Sequence, residues 1–134
     1  MPLWNPEKQA TADFNPAHFS WEHNINFIHY AGSFAVPIRY DISDDDLYPL
    51  LDSINGVFFT GGGLDIMYPN GTLSQYYQTA RKIFNYSIKQ KDQFKVNWPI
   101  LGICQGFEVL HWLVNDDYYD TLTNIRIYRE SRPY

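Results

Sequence analysis

The sequence predicts an α/β domain built on a parallel sheet, and three stretches carry that expectation. Gly56-Val-Phe-Phe-Thr60 and Pro99 to Ile103 are short apolar runs of the kind that buried parallel strands require. Glycines follow the first as Gly61-Gly-Gly63 and bracket the only cysteine in Gly102-Ile-Cys104-Gln-Gly106 after the second. Between them, Leu73 to Lys91 spaces Tyr76, Tyr77, Ala80, Ile83, Phe84 and Ile88 by threes and fours, which predicts a long amphipathic helix. That periodicity makes its aromatics core residues rather than a stacking platform.

Taken in order, residues 1–18 are polar and broken by Pro2, Pro6 and Pro16, so an irregular segment is expected there, followed by one domain over 19–134. Phe19 to Tyr30 reads as a helix that Ser20 can cap, with Trp21, Ile25, Ile28 and the aromatics Phe27 and His29 around an amphipathic stripe. Ala31-Gly32 ends it, since glycine accepts the left-handed cap. Ala35-Val-Pro-Ile-Arg-Tyr40 reads as a strand, and Pro37 assigns it to an edge or a strand start. The acidic run Asp41 to Asp46 reads as a solvated loop and helix cap, with Ser43 and Asp46 as a weaker capping box. It lacks the glycine and terminal glutamate of a calcium loop, so no metal site is assigned. Leu47, Leu50 and Leu51 then face the core from a short helix. Arg81, Lys82, Lys89, Lys91 and Lys95 make the long helix the most basic region: an exposed face, or one that draws a polyanion toward a neighbouring cleft. Beyond Asn115, turn chemistry is followed by a candidate strand in Leu122 to Tyr128.

Composition narrows the function. In 134 residues there is room for one domain with a real core, and 45% hydrophobic and 18% aromatic residues exclude a disordered chain. A net charge of −5 offers no basic face for nucleic acid. No apolar run reaches the roughly 18 to 20 residues of a membrane span. Met1-Pro-Leu-Trp-Asn-Pro lacks the basic region and apolar core of a signal peptide. A single cysteine excludes an internal disulfide.

The chemistry centres on Cys104. A strand, a Gly-x-Cys-x-Gly turn and a helix, with Phe107, Leu110, Leu113 and Val114 at helical spacing, form the pattern of a nucleophile elbow. Such a turn strains its central residue and sets it at a helix N-terminus, where the dipole favours a thiolate and free N–H groups can face an oxyanion. The other reading is a buried, inert cysteine whose glycines serve close strand–helix packing. Gly61 to Gly63, at the end of the other strand, is either a flexible turn or a set of N–H groups presented to an anion. Glu108 lies one turn beyond Cys104 on the same helix face, where it could simply complement the dipole. His111 lies about 10 Å along the helix from Cys104, out of reach as its base. Asn70-Gly-Thr72 and Asn85-Tyr-Ser87 are N-glycosylation triplets.

Ile100-Leu-Gly-Ile-Cys-Gln-Gly-Phe-Glu108 resembles the class I glutamine amidotransferase-like superfamily. With Ile54-Asn-Gly-Val-Phe-Phe-Thr-Gly-Gly-Gly63 it is similar to the γ-glutamyl hydrolases in particular, the cysteine peptidases that trim folate poly-γ-glutamates, over about Phe19 to Asp120. The resemblance implies a three-layer, flavodoxin-like fold with a mostly parallel sheet, of which this chain holds an N-terminal portion. It implies Cys104 as nucleophile, an oxyanion hole from the N–H of Gly61 or Gly62 joined by that of Gln105, and Glu108 recognising the γ-linked glutamate. Folyl-poly-γ-glutamate is then the small-molecule substrate, with no cofactor, no metal, no nucleic acid and no membrane, and with a homodimer left open. The family is lysosomal, vacuolar or secreted, and it often carries an Asn-x-Ser near Asn85. Thr60 departs from the family's more frequent proline. The family's apolar first strand has no counterpart here, and its catalytic His and Glu come from a segment well after the elbow. These departures read as a chain truncated at both ends, with little turnover expected if 134 residues are the whole product. A glutaminase domain and a non-catalytic γ-glutamyl-binding module are the competing functions.

Overall fold

The computed structural model describes residues 22–115, in the order α1 (Glu22–Tyr30), α2 (Asp44–Ser53), β1 (Val57–Phe59), α3 (Gln75–Phe94), β2 (Ile100–Gly102) and α4 (Gln105–Val114). The chain divides into two compact units between Arg39 and Tyr40. The expected irregular segment, the Ser20 cap, Trp21 and the candidate strand after Asn115 lie outside the described residues.

In the first unit, α1 ends where glycine permits it. Gly32 takes φ +82 and donates to His29 O at 2.9 Å, while Ser33 donates to Ile28 O at 3.2 Å. The predicted apolar stripe buries none of the described residues of α1. The strand expected over Ala35–Tyr40 does not form: residues 33–39 carry no regular structure. An extended preference becomes a strand only through a pairing neighbour, and Pro37 has no N–H to offer one.

The second unit is α/β. Ser43 caps α2 in both directions, its Oγ accepting from Asp46 N at 3.2 Å and donating to Asp46 Oδ2 at 2.7 Å. Leu47 and Leu51 are fully buried, whereas Leu50, the third leucine of the predicted face, is half-buried. Ser74 caps α3 by accepting from Tyr77 N at 3.2 Å. The face of α3 that reaches the core is Tyr77, Thr79, Ala80, Ile83 and Tyr86. Ile88, placed on that stripe by periodicity, is exposed.

β1 and β2 pair in parallel with Val57 opposite Ile100, Phe58 opposite Leu101 and Phe59 opposite Gly102. The crossover between them is α3, as a parallel pair needs. Helix α4 lies on the face that carries Phe59 and Gly102. Leu101, one residue out of phase, points to the other face and is 48% exposed. Aromatic edges join the layers: Tyr77 meets Trp112 of α4 with ring centroids 5.7 Å apart, and Tyr86 meets Trp98 at 5.1 Å. Trp98 Nε1 donates to Ile54 O at 3.1 Å, and Tyr86 Oη donates to Asp52 Oδ1 at 2.7 Å, so the end of α2 is tied to α3 and to the approach of β2. At the other end of α2, Lys82 pairs with Asp44 on the surface.

Candidate active site

The parallel register brings together residues 43 positions apart. Phe59 faces Gly102, so two residues further along each strand Gly61 arrives beside Cys104. A β-carbon on Gly61 would stand 3.1 Å from Cys104 Cβ and 3.6 Å from Sγ, so a bare backbone is what lets the loop lie against the thiol. Cys104 itself is exposed and takes φ 57, ψ −118 at the N-cap of α4. That conformation is the strained turn expected of an elbow.

The flanking glycines have a separate cause. A β-carbon on Gly102 would lie 2.6 Å from Gly106 O, and one on Gly106 would lie 2.1 Å from Phe59 O. Both positions are closed to any side chain because α4 passes directly over the two strands. The close-packing reading of the glycines and the strained-turn reading of the cysteine therefore hold together.

Helix α4 starts immediately after the thiol. Phe107 N and Glu108 N donate to Cys104 O at 3.0 and 3.1 Å, and Gly106 N donates to Ile103 O at 3.0 Å. Among the described residues, the N–H groups of Gly61, Gly62 and Gln105 have no hydrogen-bond partner. Glu108 is half-buried in the first turn. His111 stacks on Phe107, ring centroids 6.4 Å apart, two turns from the cysteine. Of the apolar residues whose spacing predicted α4, Leu113 is buried, whereas Phe107 is 59% exposed and Val114 67%; Val109 and Trp112 are the other buried apolar residues of the helix. The contact of Gly106 with Phe59 fixes which face turns inward.

The side chain of Gln105 was not anticipated. It is 7% exposed, and its Oε1 accepts from Leu64 N at 3.0 Å while its Nε2 donates to Leu64 O. No sequence signal marks this, because the partners are 41 residues apart and one of them is backbone.

Away from the turn, Asn70 is exposed in a tight turn, its Oδ1 accepting from Thr72 N at 3.0 Å and Thr72 Oγ1 at 2.7 Å. Asn85 is exposed on α3, at an open cleft also lined by Tyr48, Asp52, Lys82, Tyr86 and Lys89. Part of the basic stripe is engaged: Arg81 lies 5.2 Å over the Tyr77 ring, and Lys82 pairs with Asp44.

A parallel sheet with a strained cysteine between β2 and α4, and a glycine run at the end of the adjoining strand, defines an α/β protein of the cysteine-elbow class. The peptidase C26 family profile matches residues 5–128, and the chain belongs to that family. Over 103 residues it is 37% identical to the γ-glutamyl hydrolase of Bos taurus, covering 75% of this chain and 30% of that protein. The rat enzyme is 38% identical over 100 residues, with the same coverage. Arabidopsis thaliana γ-glutamyl hydrolase 1 is 27% identical over 93 residues, covering 69% of this chain and 24% of the relative. The chain thus spans about 30% of the length of the mammalian proteins it matches.

Proposed function

We propose that this chain carries the nucleophile half of a cysteine hydrolase acting on γ-glutamyl bonds, with folyl-poly-γ-glutamates as substrates. The observation that carries the reading is Cys104, exposed in a strained turn with the Gly61 backbone against its side chain. Family membership and the γ-glutamyl hydrolases among the relatives supply the bond type.

The Sγ thiolate attacks the γ-glutamyl carbonyl carbon, and the carbonyl π pair moves onto oxygen. That oxyanion accepts hydrogen bonds from the N–H of Gln105 and from Gly61 or Gly62, groups that have no other partner among the described residues. Glu108, one turn along the same face, accepts a hydrogen bond from the α-amide N–H of the bound glutamate. Collapse of the tetrahedral adduct breaks the C–N bond, and the departing amine takes a proton from a histidine that lies outside α4 in this reading. Water then attacks the thioester, giving the γ-carboxylate and returning the thiol. On the same reading the protein works in a lysosome, a vacuole or outside the cell, with Asn70 and Asn85 as glycan acceptors; a glycosidase-sensitive mobility shift lost in Asn70→Gln or Asn85→Gln would support this.

The test uses a γ-glutamyl chloromethyl ketone, which alkylates a thiol without needing a general base on the leaving group. Labelling of Cys104 that is blocked by folyl-triglutamate and absent in Cys104→Ala is expected. Labelling no more selective than that by iodoacetamide, with no protection by the folate, would overturn the proposal. Glutamate release from folyl-triglutamate, measured alongside, separates a chain that turns over from one that only binds.

A further inference from the structure

The glycine run beside Cys104 has little to hold it. Residues 62–65 are exposed, and a β-carbon on Gly63 would meet nothing within 4 Å. Among the described residues, 61–65 make no hydrogen bond except the two between Leu64 and the Gln105 side chain. Consecutive glycines lose more conformational freedom on ordering than any other residues, so an untethered run would sample many backbone states. N–H groups aimed at a developing charge are effective only when their positions are fixed in advance.

We propose that Gln105 is a positioning residue whose side-chain amide pins Leu64 and thereby holds the Gly61–Gly62 backbone at a fixed distance from Cys104. The inference rests on the reading of those N–H groups as oxyanion donors. The amide is suited to the task because it carries a donor and an acceptor in one plane, and it uses both on the backbone of a single loop residue, the N–H and the C=O of Leu64. Its Oε1 also lies 3.0 Å from where a β-carbon on Gly62 would be, so amide and loop are in close contact without a side chain between them. Gln105 therefore acts at both ends: its own N–H is one donor, and its side chain fixes the strand-end loop that supplies the other.

The experiment compares wild type, Gln105→Leu and Gln105→Glu in three measurements. Exchange of the Leu64 amide reads the tether directly, and Gln105→Leu should speed it about tenfold or more, as expected when a local opening loses its last bond. Affinity for a γ-glutamyl aldehyde, followed through the hemithioacetal it forms with Cys104, reads the oxyanion site. Gln105→Leu should weaken it about tenfold, less than the effect of deleting a donor outright. Iodoacetamide alkylation of Cys104 needs no oxyanion site and should stay within about twofold. Glutamic acid is isosteric with glutamine and, while protonated, also both accepts and donates. Gln105→Glu should therefore match wild type at low pH and lose aldehyde affinity relative to wild type as its carboxyl ionises against Leu64 O. This comparison stands even if Gln105→Leu does not fold.

Unchanged Leu64 exchange in Gln105→Leu would refute the tether. Faster exchange with unchanged aldehyde affinity, or a Gln105→Glu profile parallel to wild type, would refute the positioning role. Wild type forming no hemithioacetal at Cys104 would overturn the oxyanion reading, and this inference with it.

Discussion

Cys104 holds φ 57 and ψ −118, where its β-carbon crowds the backbone. Glycine there would release the strain. Cys104→Gly should raise stability by about 1–2 kcal/mol over Cys104→Ala, which keeps the β-carbon, despite glycine's greater freedom in the unfolded chain. Denaturant midpoints of the two variants check this, and equal midpoints would mean that the turn relaxes at no cost. Lys95, in the left-handed region at φ 58 where α3 ends, is a second such position. Lys95→Gly should add about 0.5–1 kcal/mol by the same measurement, although the Lys95 Nζ bond to Asp92 O at 2.9 Å is lost.

At the scale of elements, the site depends on how closely α4 approaches the strands. Gly106 faces Phe59 so tightly that a methyl group would stand 2.1 Å from its carbonyl oxygen. Gly106→Ala should cost about 3 kcal/mol or more, as overpacking against backbone does, and thermal unfolding would reveal it. A small loss would mean that α4 can lift off the sheet, and Cys104 with it. Helix starts contribute less. Ser74→Ala should cost about 1 kcal/mol, because Tyr77 N loses its cap while the rest of α3 stays packed.

Across the whole second unit, Tyr86 links α3 to α2 through Asp52 and packs its ring on Trp98. It is 9% exposed. Burial first, and then the Asp52 carboxylate that accepts the phenol's hydrogen bond, pushes the phenol up to about 12 from 10.0. The folded state therefore keeps a proton that the unfolded chain gives up. The stabilisation is complete below pH 10, the unfolded value, and is lost as the pH rises through about 12. Unfolding midpoints measured from pH 9 to 12 should fall more steeply in wild type than in Tyr86→Phe. Parallel slopes would place the alkaline sensitivity elsewhere.

Local signals sufficed for much of this protein. Alternation of apolar runs and helical stripes revealed β1, α3, β2 and α4, a serine cap marked the start of α2, and two glycines around one cysteine marked the turn. Each of these depends on neighbours within a few residues, which a sequence displays directly. Tertiary structure decided the rest. Whether Ala35–Tyr40 becomes a strand depends on a partner that no local pattern names, and which residues of α4 turn inward depends on where Gly106 meets Phe59. The placing of Gly61 against Cys104, and the hold of Gln105 on Leu64, arise from the register of a parallel pair whose strands are separated by a full helix. Hydrogen bonding between backbones sets that register, and side-chain identity records it only through the glycines that allow the approach.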